Sequence, residues 1–249
     1  KLKESGYLPE GKKILSATVS ERAGRWFVSV QVEEERTNLQ LQKSGCVGVD
    51  LGIKTLAVCS DGTVFENPKP LRTNLKKLKK AQRALSRRTK GGKNRKKAAN
   101  RVAIIHYRIS NIRRDTLHKL TTFLTKTKEE IVLEDLNVSG MMKNHKLAQA
   151  ISELGLFELR RQVEYKSDWY GCLLTMANRF EPSSKRCCVC GKIKEDLTLS
   201  DRVYRCECGN VQDRDLNASI NLSKLGILSK ELDSTASSAG TCGSLIHRT

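Results

Sequence analysis

The chain has 249 residues, enough for one large domain or two small ones with a hydrophobic core. It holds 46 lysines and arginines against 27 aspartates and glutamates, a formal charge of +19 that predicts a polyanionic partner, with nucleic acid as the first candidate. No segment approaches the roughly 20 apolar residues of a membrane helix, so an integral membrane protein is not expected.

The first predicted element is a β-hairpin over residues 12–35, in which apolar residues alternate on both sides of an Ala23-Gly24 turn. A lone hairpin is marginally stable in water. These strands are therefore expected to belong to a larger sheet whose first part the sequence lacks.

From residue 46 the pattern becomes that of a buried core. CVGVDLGI is typical of a buried strand, and the following TLAVCSDGTVFENP predicts a hairpin with Asp61-Gly62 at its turn. EEIVLEDLNV (129–138) predicts another buried strand. Further predictions are helices over 153–166 and 213–227, a strand over 170–180, and a loose tail over the last 20 residues.

Residues 76–101 hold 13 lysines or arginines and no acid, around a Gly91-Gly92 break between two helical patterns. This predicts two antiparallel helices with a basic tip. A charge run is often only a solvated face, but so many uncompensated charges favour contact with phosphates. With few aromatics for stacking, the expected contact is to the nucleic-acid backbone. The predicted contact residues are Lys76, Lys77, Lys79, Lys80, Arg83, Arg87, Arg88, Lys93, Arg95, Lys96, Lys97 and Arg101.

Three acids recur in similar settings: Asp50 inside an apolar strand, Glu134 at the end of another, and Asp215 at a predicted helix start. Burying a lone carboxylate is costly unless it is paired. Magnesium would offset the cost of burying all three carboxylates, because it takes oxygen ligands. Two such ions can also stabilise the attacking and leaving oxygens of a phosphoryl displacement. Alternatively, each acid caps an element or turns outward, and Asp135 and Asp213 are rival ligands.

Five of the nine cysteines fall within residues 187–208, and the other four are scattered. Paired cysteines of this kind predict a structural zinc site with four thiolates and no open coordination position. C-x2-C spacing favours Cys187 over Cys188, whereas Cys206 and Cys208 are one residue closer than usual. Reduced core thiols or a redox pair are the alternatives.

In chain order, GVDLGIKTLAV, IVLEDLNV, the PSSKRC-x2-C…YRC-x-C ribbon and DRDLNASINL resemble the TnpB (OrfB) family of insertion-sequence proteins, which is related to type V CRISPR effectors. The resemblance covers about residues 10–228. It implies an α/β fold: an RNase H-like (RuvC-type) mixed sheet with a helical insertion, an inserted zinc ribbon and the remnant of an N-terminal β-barrel.

The resemblance also implies site residues and boundaries. The catalytic, magnesium-binding acids would be Asp50, Glu134 and Asp215, and the zinc ligands would be Cys187, Cys190, Cys206 and Cys208. The expected domains are 1–43 for the barrel strands, 44–180 for the nuclease core with its basic insertion at about 71–127, 181–211 for the zinc ribbon, 212–228 for the last core segment and 229–249 for a flexible tail.

The implied function is a transposon-associated, RNA-guided DNA endonuclease that hydrolyses phosphodiester bonds by a two-metal carboxylate mechanism. Its cofactors would be structural Zn²⁺ and catalytic Mg²⁺, or Mn²⁺ in place of Mg²⁺. Its partners would be target DNA and a guide RNA from the transposon end, in a bacterial or archaeal cytoplasm at the nucleoid.

The alternative is a catalytically inactive or truncated member of the family that binds DNA or RNA, since most of the family's N-terminal region is missing from the sequence. A nonspecific RNase H-like or junction-resolving nuclease would share the acids but does not predict the ribbon.

Overall fold

The computed structural model describes residues 6, 8, 10–34, 41–198 and 200–239, with side chains as far as residue 226. The chain divides into two compact units: Lys1–Gln40 with Lys69–Asp115, and Leu41–Pro68 with Thr116–Thr249. Across the described residues, no helix is both long enough and apolar enough to span a bilayer.

The first unit contains the predicted hairpin, with β1 (Ile14–Arg22) antiparallel to β2 (Arg25–Val32). It also contains α1 (Pro70–Ser86) and the first part of α2 (Lys93–Thr127), which confirms two helices around the Gly91-Gly92 break. Proline suits the first turn of α1, because that position needs no backbone N–H donor.

The second unit is built on a mixed sheet of β3 (Ser44–Leu51), β4 (Thr55–Cys59), β5 (Val64–Glu66), β6 (Lys128–Glu134) and β7 (Leu173–Ala177). The spatial order is β5-β4-β3-β6-β7. β4 runs antiparallel to both β3 and β5, whereas β3, β6 and β7 are parallel. The apolar character of β3 and β6 follows from burial of both sheet faces.

One face of the sheet packs against the second part of α2 and against two later helices, α4 (Ala148–Leu154) and α5 (Leu156–Tyr170). The short α3 (Val138–Met142) comes just before α4. Gly155 separates α4 from α5 within the segment predicted as one helix. The Lys166 ammonium joins α5 to α2 by donating to the Thr121 hydroxyl (2.7 Å) and the Thr122 hydroxyl (2.8 Å).

The opposite face is covered by α6 (Arg214–Ala239), which Gly48 in β3 allows to approach closely. A Cβ at Gly48 would lie 2.0 Å from the Ser219 carbonyl oxygen and 2.4 Å from the Ser223 nitrogen, distances that real Cβ atoms do not reach. A Cβ at Gly226 would lie 2.6 Å from the Cys46 sulphur. The two glycines therefore set how near α6 lies to the sheet.

The cysteine-rich segment between β7 and α6 contains a small antiparallel pair, β8 (Val203–Arg205) and β9 (Val211–Asp213). α6 begins directly after β9 and continues beyond residue 228, where the sequence analysis had placed the end of the core. Its length is consistent with the absence of glycine and proline from residues 227–239. Residues 240–249 of the predicted tail lie outside the described residues.

Candidate active site and metal centre

Asp50 and Glu134 lie at the carboxyl ends of neighbouring parallel strands. The register pairs Val49 with Leu133, so Asp50 and Glu134 follow one step further along β3 and β6. Side chains alternate between the two faces of a sheet. Val49 and Leu133 belong to the core on the α5 face, which places Asp50 and Glu134 on the face covered by α6.

Asp215 joins this edge from the first turn of α6. The helix is capped by its neighbour Asp213, whose Oδ1 accepts hydrogen bonds from the backbone N–H groups of Asp215 (2.9 Å) and Leu216 (3.1 Å). Capping by an aspartate is a common way to start a helix. The capping role that the sequence left open for Asp215 therefore belongs to Asp213.

The three acids interact electrostatically. Burial, together with the negative charges of Glu134 and Asp215, raises the pKa of Asp50 to about 8, whereas Arg214 acts in the opposite direction. Desolvation and like charges both disfavour the ionised carboxylate. Asp50 is therefore a half-buried acid whose negative charge the surrounding side chains do not compensate.

The carboxylate oxygens of these three acids are not drawn into a tight cluster. Within the part of the chain that the structure describes, the only group of three or more acidic, histidine or cysteine ligand atoms all within 4.8 Å of one another is made of cysteines.

The rival Asp135 has partners of its own. Its Oδ1 accepts from Arg160 of α5 (3.2 Å), and its Oδ2 accepts from Arg179 (2.6 Å). Asp135 also follows Glu134 and so leaves the face shared by Glu134 and Asp50. The strand register and these two ion pairs separate Asp135 from the other acids.

Ser183 is a buried residue that the sequence reasoning did not single out. Its hydroxyl donates a short hydrogen bond to Glu134 Oε1, and its carbonyl oxygen accepts from the Asn221 side chain (2.7 Å). Asn217, one turn before Asn221 in α6, donates to the Arg186 carbonyl (2.7 Å). The i, i+4 spacing places both asparagines on one face of α6, where they hold the segment that contains Ser183.

Four cysteine sulphurs converge in the segment before α6: those of Cys187, Cys190, Cys206 and Cys208 lie within 4.8 Å of one another. The separations include 3.6 Å from Cys187 to Cys208 and 3.5 Å from Cys190 to Cys206. Although burial opposes it, the backbone N–H groups of Cys190 and Val189 lower the pKa of Cys187 to about 6, which favours the thiolate. This cluster can hold a metal ion such as zinc.

Cys188 lies outside this cluster. Its sulphur is buried and accepts from the Gln212 side chain (2.8 Å), and its backbone N–H donates to Asn217 (3.0 Å). Cys188 therefore fastens the ribbon to the start of α6. The spacing argument that favoured Cys187 over Cys188 agrees with this arrangement.

The basic residues predicted to contact nucleic acid line α1 and the start of α2, and all except Arg95 are exposed. Arg95 instead turns toward the corner between the helices, where its guanidinium donates to the carbonyls of Leu85 and Arg88, each at 3.1 Å. A cleft between the two helices is lined by alanine and isoleucine side chains and by cations that include Lys77, Lys97 and Arg101.

Two protein-family models match separate parts of the chain. Residues 17–145 match OrfB_IS605, described as a probable transposase, and residues 157–222 match the Cas12f1-like TNB domain. The second match spans the cysteine cluster and the start of α6.

Two bacterial relatives match most of the chain. A Streptomyces pristinaespiralis protein named "Putative RNA-guided DNA endonuclease" is 46% identical over 221 residues, which are 88% of this chain and 55% of that protein. Escherichia coli (strain K12) "Putative RNA-guided DNA endonuclease InsQ" is 36% identical over 230 residues, 86% of this chain and 57% of that protein. The chain thus spans a little over half the length of these relatives.

The fold resembles that of solved Cas12f structures. A CRISPR-Cas12f ternary complex superimposes with a TM-score of 0.54 at 19% identity, over 80% of this chain and 42% of that chain. A Cas12f1-sgRNA-target DNA complex gives 0.52 at 15% identity, over 82% and 55%. Together with the match over residues 17–145, which is more than half of the sequence, these similarities lead to one conclusion: the chain belongs to the OrfB_IS605 family of probable transposases.

Proposed function

We propose that this chain forms the nuclease core of a transposon-associated, RNA-guided DNA endonuclease, with an RNase H-like (RuvC-type) sheet that carries Asp50, Glu134 and Asp215. The observation that carries the proposal is the uncompensated acidity at one sheet edge. Burial, Glu134 and Asp215 all raise the pKa of Asp50, and Arg214 offsets only part of the effect.

This edge fits magnesium, or manganese in its place. The donors are carboxylates, the hard oxygen ligands that Mg²⁺ prefers, and a cation would compensate the charge that folding buries at Asp50. Bound divalent ions would supply an activated water and neutralise the charge on the leaving oxygen of a phosphodiester.

The residues of the chain prepare this edge for catalysis. Strands β3 and β6 hold Asp50 and Glu134 side by side, and the packing of α6 against Gly48 brings Asp215 to them. The Ser183 hydroxyl occupies Glu134 Oε1 and thereby orients the carboxylate, leaving Oε2 for a ligand.

We infer a structural zinc at Cys187, Cys190, Cys206 and Cys208. The four thiols match the number and chemistry of a closed zinc site, and such a site has no position left for catalysis. Hydrogen bonds from Asn217 and Asn221 of α6 to the segment before the cysteines connect this site to the helix that carries Asp215.

The partners in this proposal are target DNA and a guide RNA derived from the transposon end, at the nucleoid of a bacterium or archaeon. Its support is the net charge of +19, the exposed cations of α1 and α2, and relatives named as RNA-guided DNA endonucleases.

The test measures Mg²⁺-dependent cleavage of single-stranded DNA by zinc-loaded protein, with Asp50→Asn as the variant and Asp196→Asn as the control. The Asp196→Asn substitution removes the same charge, but from a side chain that is 80% exposed. Asp50→Asn should abolish cleavage, keep DNA binding and remove the Mn²⁺ uptake measured by calorimetry, while the control matches the parent protein.

Equal cleavage by parent and Asp50→Asn would refute the assignment of Asp50. DNA binding without cleavage or Mn²⁺ uptake, in folded parent protein, would instead support the inactive binding module.

A further inference from the structure

A cleft of about 290 Å³ borders the candidate active site at the ends of β6 and β7. Glu134 lies at its edge, and its walls include the apolar side chains of Leu133, Leu156 and Met176. Its volume is near the lower limit of the ~300–1,000 Å³ typical of small-molecule sites, which is room for one nucleotide-sized group.

Two arginines line this cleft beside Glu134. Arg160 from α5 and Arg179 from the end of β7 share the carboxylate of Asp135, and their side chains remain 49% and 46% exposed. Arg160 also donates through its Nε to Glu164 (2.8 Å), so two carboxylates hold the two guanidinium groups in place. Arginine carries five N–H donors in a planar fork, so these bonds fix both groups and leave other N–H donors of each for an incoming phosphate.

Phe157 adds an aromatic ring to the same cleft. It lies in the first turn of α5 and is 77% exposed, although it lines a cavity with an apolar wall. An exposed phenylalanine next to paired arginines offers stacking for a base beside contacts for its phosphate. The chemistry proposed for the three acids uses neither Phe157 nor the arginines.

We propose that this cleft is a subsite for one nucleotide of the strand that is cut, next to the scissile phosphate. Phe157 stacks on the base, and Arg160 and Arg179 bind the phosphate. This inference rests on the proposed nuclease function.

The contacts proposed for this subsite, stacking on Phe157 and pairing of the arginines with phosphate, do not select a base. Of the polar side chains in the cleft, Asn137 already uses its Oδ1 to accept from the Gly140 backbone N–H (2.9 Å). Stacking and phosphate contacts carry no base preference by themselves.

The binding test uses single-stranded DNA in magnesium-free buffer, followed by fluorescence anisotropy. Arg160→Gln is compared with Arg161→Gln, since Arg161 lies on the same helix but pairs with Glu158 and is absent from the cleft lining. Phe157→Ala is compared with Trp169→Ala, an exposed aromatic elsewhere on α5. The cleft variants should weaken binding about tenfold, and the two controls should match the parent protein.

Photocross-linking identifies the contact directly. DNA carrying 5-iodouracil should cross-link to Phe157 in the parent protein, and mass spectrometry locates the modified peptide. Equal weakening by Arg160→Gln and Arg161→Gln, or cross-links that avoid α5, would overturn the subsite and leave only general attraction by positive charge.

The cleavage assay separates the two proposals. In an active parent protein, Phe157→Ala should raise KM while kcat changes little, whereas Asp50→Asn abolishes kcat. A parent protein that never cuts contradicts the nuclease proposal, yet the binding and cross-linking results still decide whether the cleft holds a nucleotide.

Discussion

Replacing Asp50 by asparagine should stabilise the protein when magnesium is absent. The pKa of Asp50 is about 8 in the folded protein, against an ordinary 3.8. At pH 7 the unfolded chain ionises this group and the folded protein holds it protonated. At 1.36 kcal/mol per pKa unit over the interval from 3.8 to 7, the mismatch lowers the free energy of unfolding by at most about 4 kcal/mol.

The sign of the pH dependence follows from proton binding. Between about pH 4 and pH 8 the folded state binds the Asp50 proton and the unfolded state does not, so the contribution of this group to stability decreases as pH rises. Asparagine does not titrate. The Asp50→Asn variant should therefore match the parent protein near pH 4 and exceed it increasingly toward pH 8.

Urea unfolding in magnesium-free buffer, with zinc retained, measures this difference at several pH values. Asp196→Asn is the control, since an 80% exposed side chain keeps its hydration on folding. Saturating Mg²⁺ should then stabilise the parent protein and not the variant, because a ligand bound only by the folded state raises its stability. An Asp50→Asn variant less stable than the parent at pH 8 without magnesium would refute the reasoning.

Three further substitutions test the surrounding structure. Gly48→Ala should cost about 3 kcal/mol or more in urea unfolding, because its methyl group would overlap the backbone of α6, whereas Gly45→Ala in the same strand meets open space and should cost far less. Cys206→Ser should lower the zinc content measured by atomic absorption, and Cys188→Ser should retain zinc. The reverse pattern would mean that Cys188, and not Cys206, is a zinc ligand. Asp213→Asn should keep both the helix cap and the Mg²⁺-dependent stabilisation, and loss of that stabilisation would make Asp213 a metal ligand.

Local patterns predicted most of the elements. Alternation and turn residues located the hairpin of β1 and β2, and the apolar runs located β3 and β6. The serine- and alanine-rich composition after residue 228 predicts a loose tail, whereas α6 continues to Ala239 because no glycine or proline interrupts it.

The choice among rival acids required tertiary information. Glu134 and Asp135 are adjacent in sequence, but Glu134 accepts from Ser183 whereas Asp135 pairs with two arginines. The sequence also could not predict the contact between Ser183 and Glu134, which spans 49 positions and depends on how the ribbon docks on α6. Long-range packing of this kind leaves no local periodicity to detect.

The position of Asp215 after Asp50 and Glu134 in the chain has a consequence for biosynthesis. Asp50 and Glu134 can pair on their strands while the ribosome is still translating, but one face of their sheet remains uncovered until α6 is made, including Val132 and the backbone at Gly48. On the proposed function, a nascent or prematurely terminated polypeptide lacks one of the three acids and cannot cut the chromosome of the cell that produces it. The order of these segments thus delays activity until α6 has been synthesised.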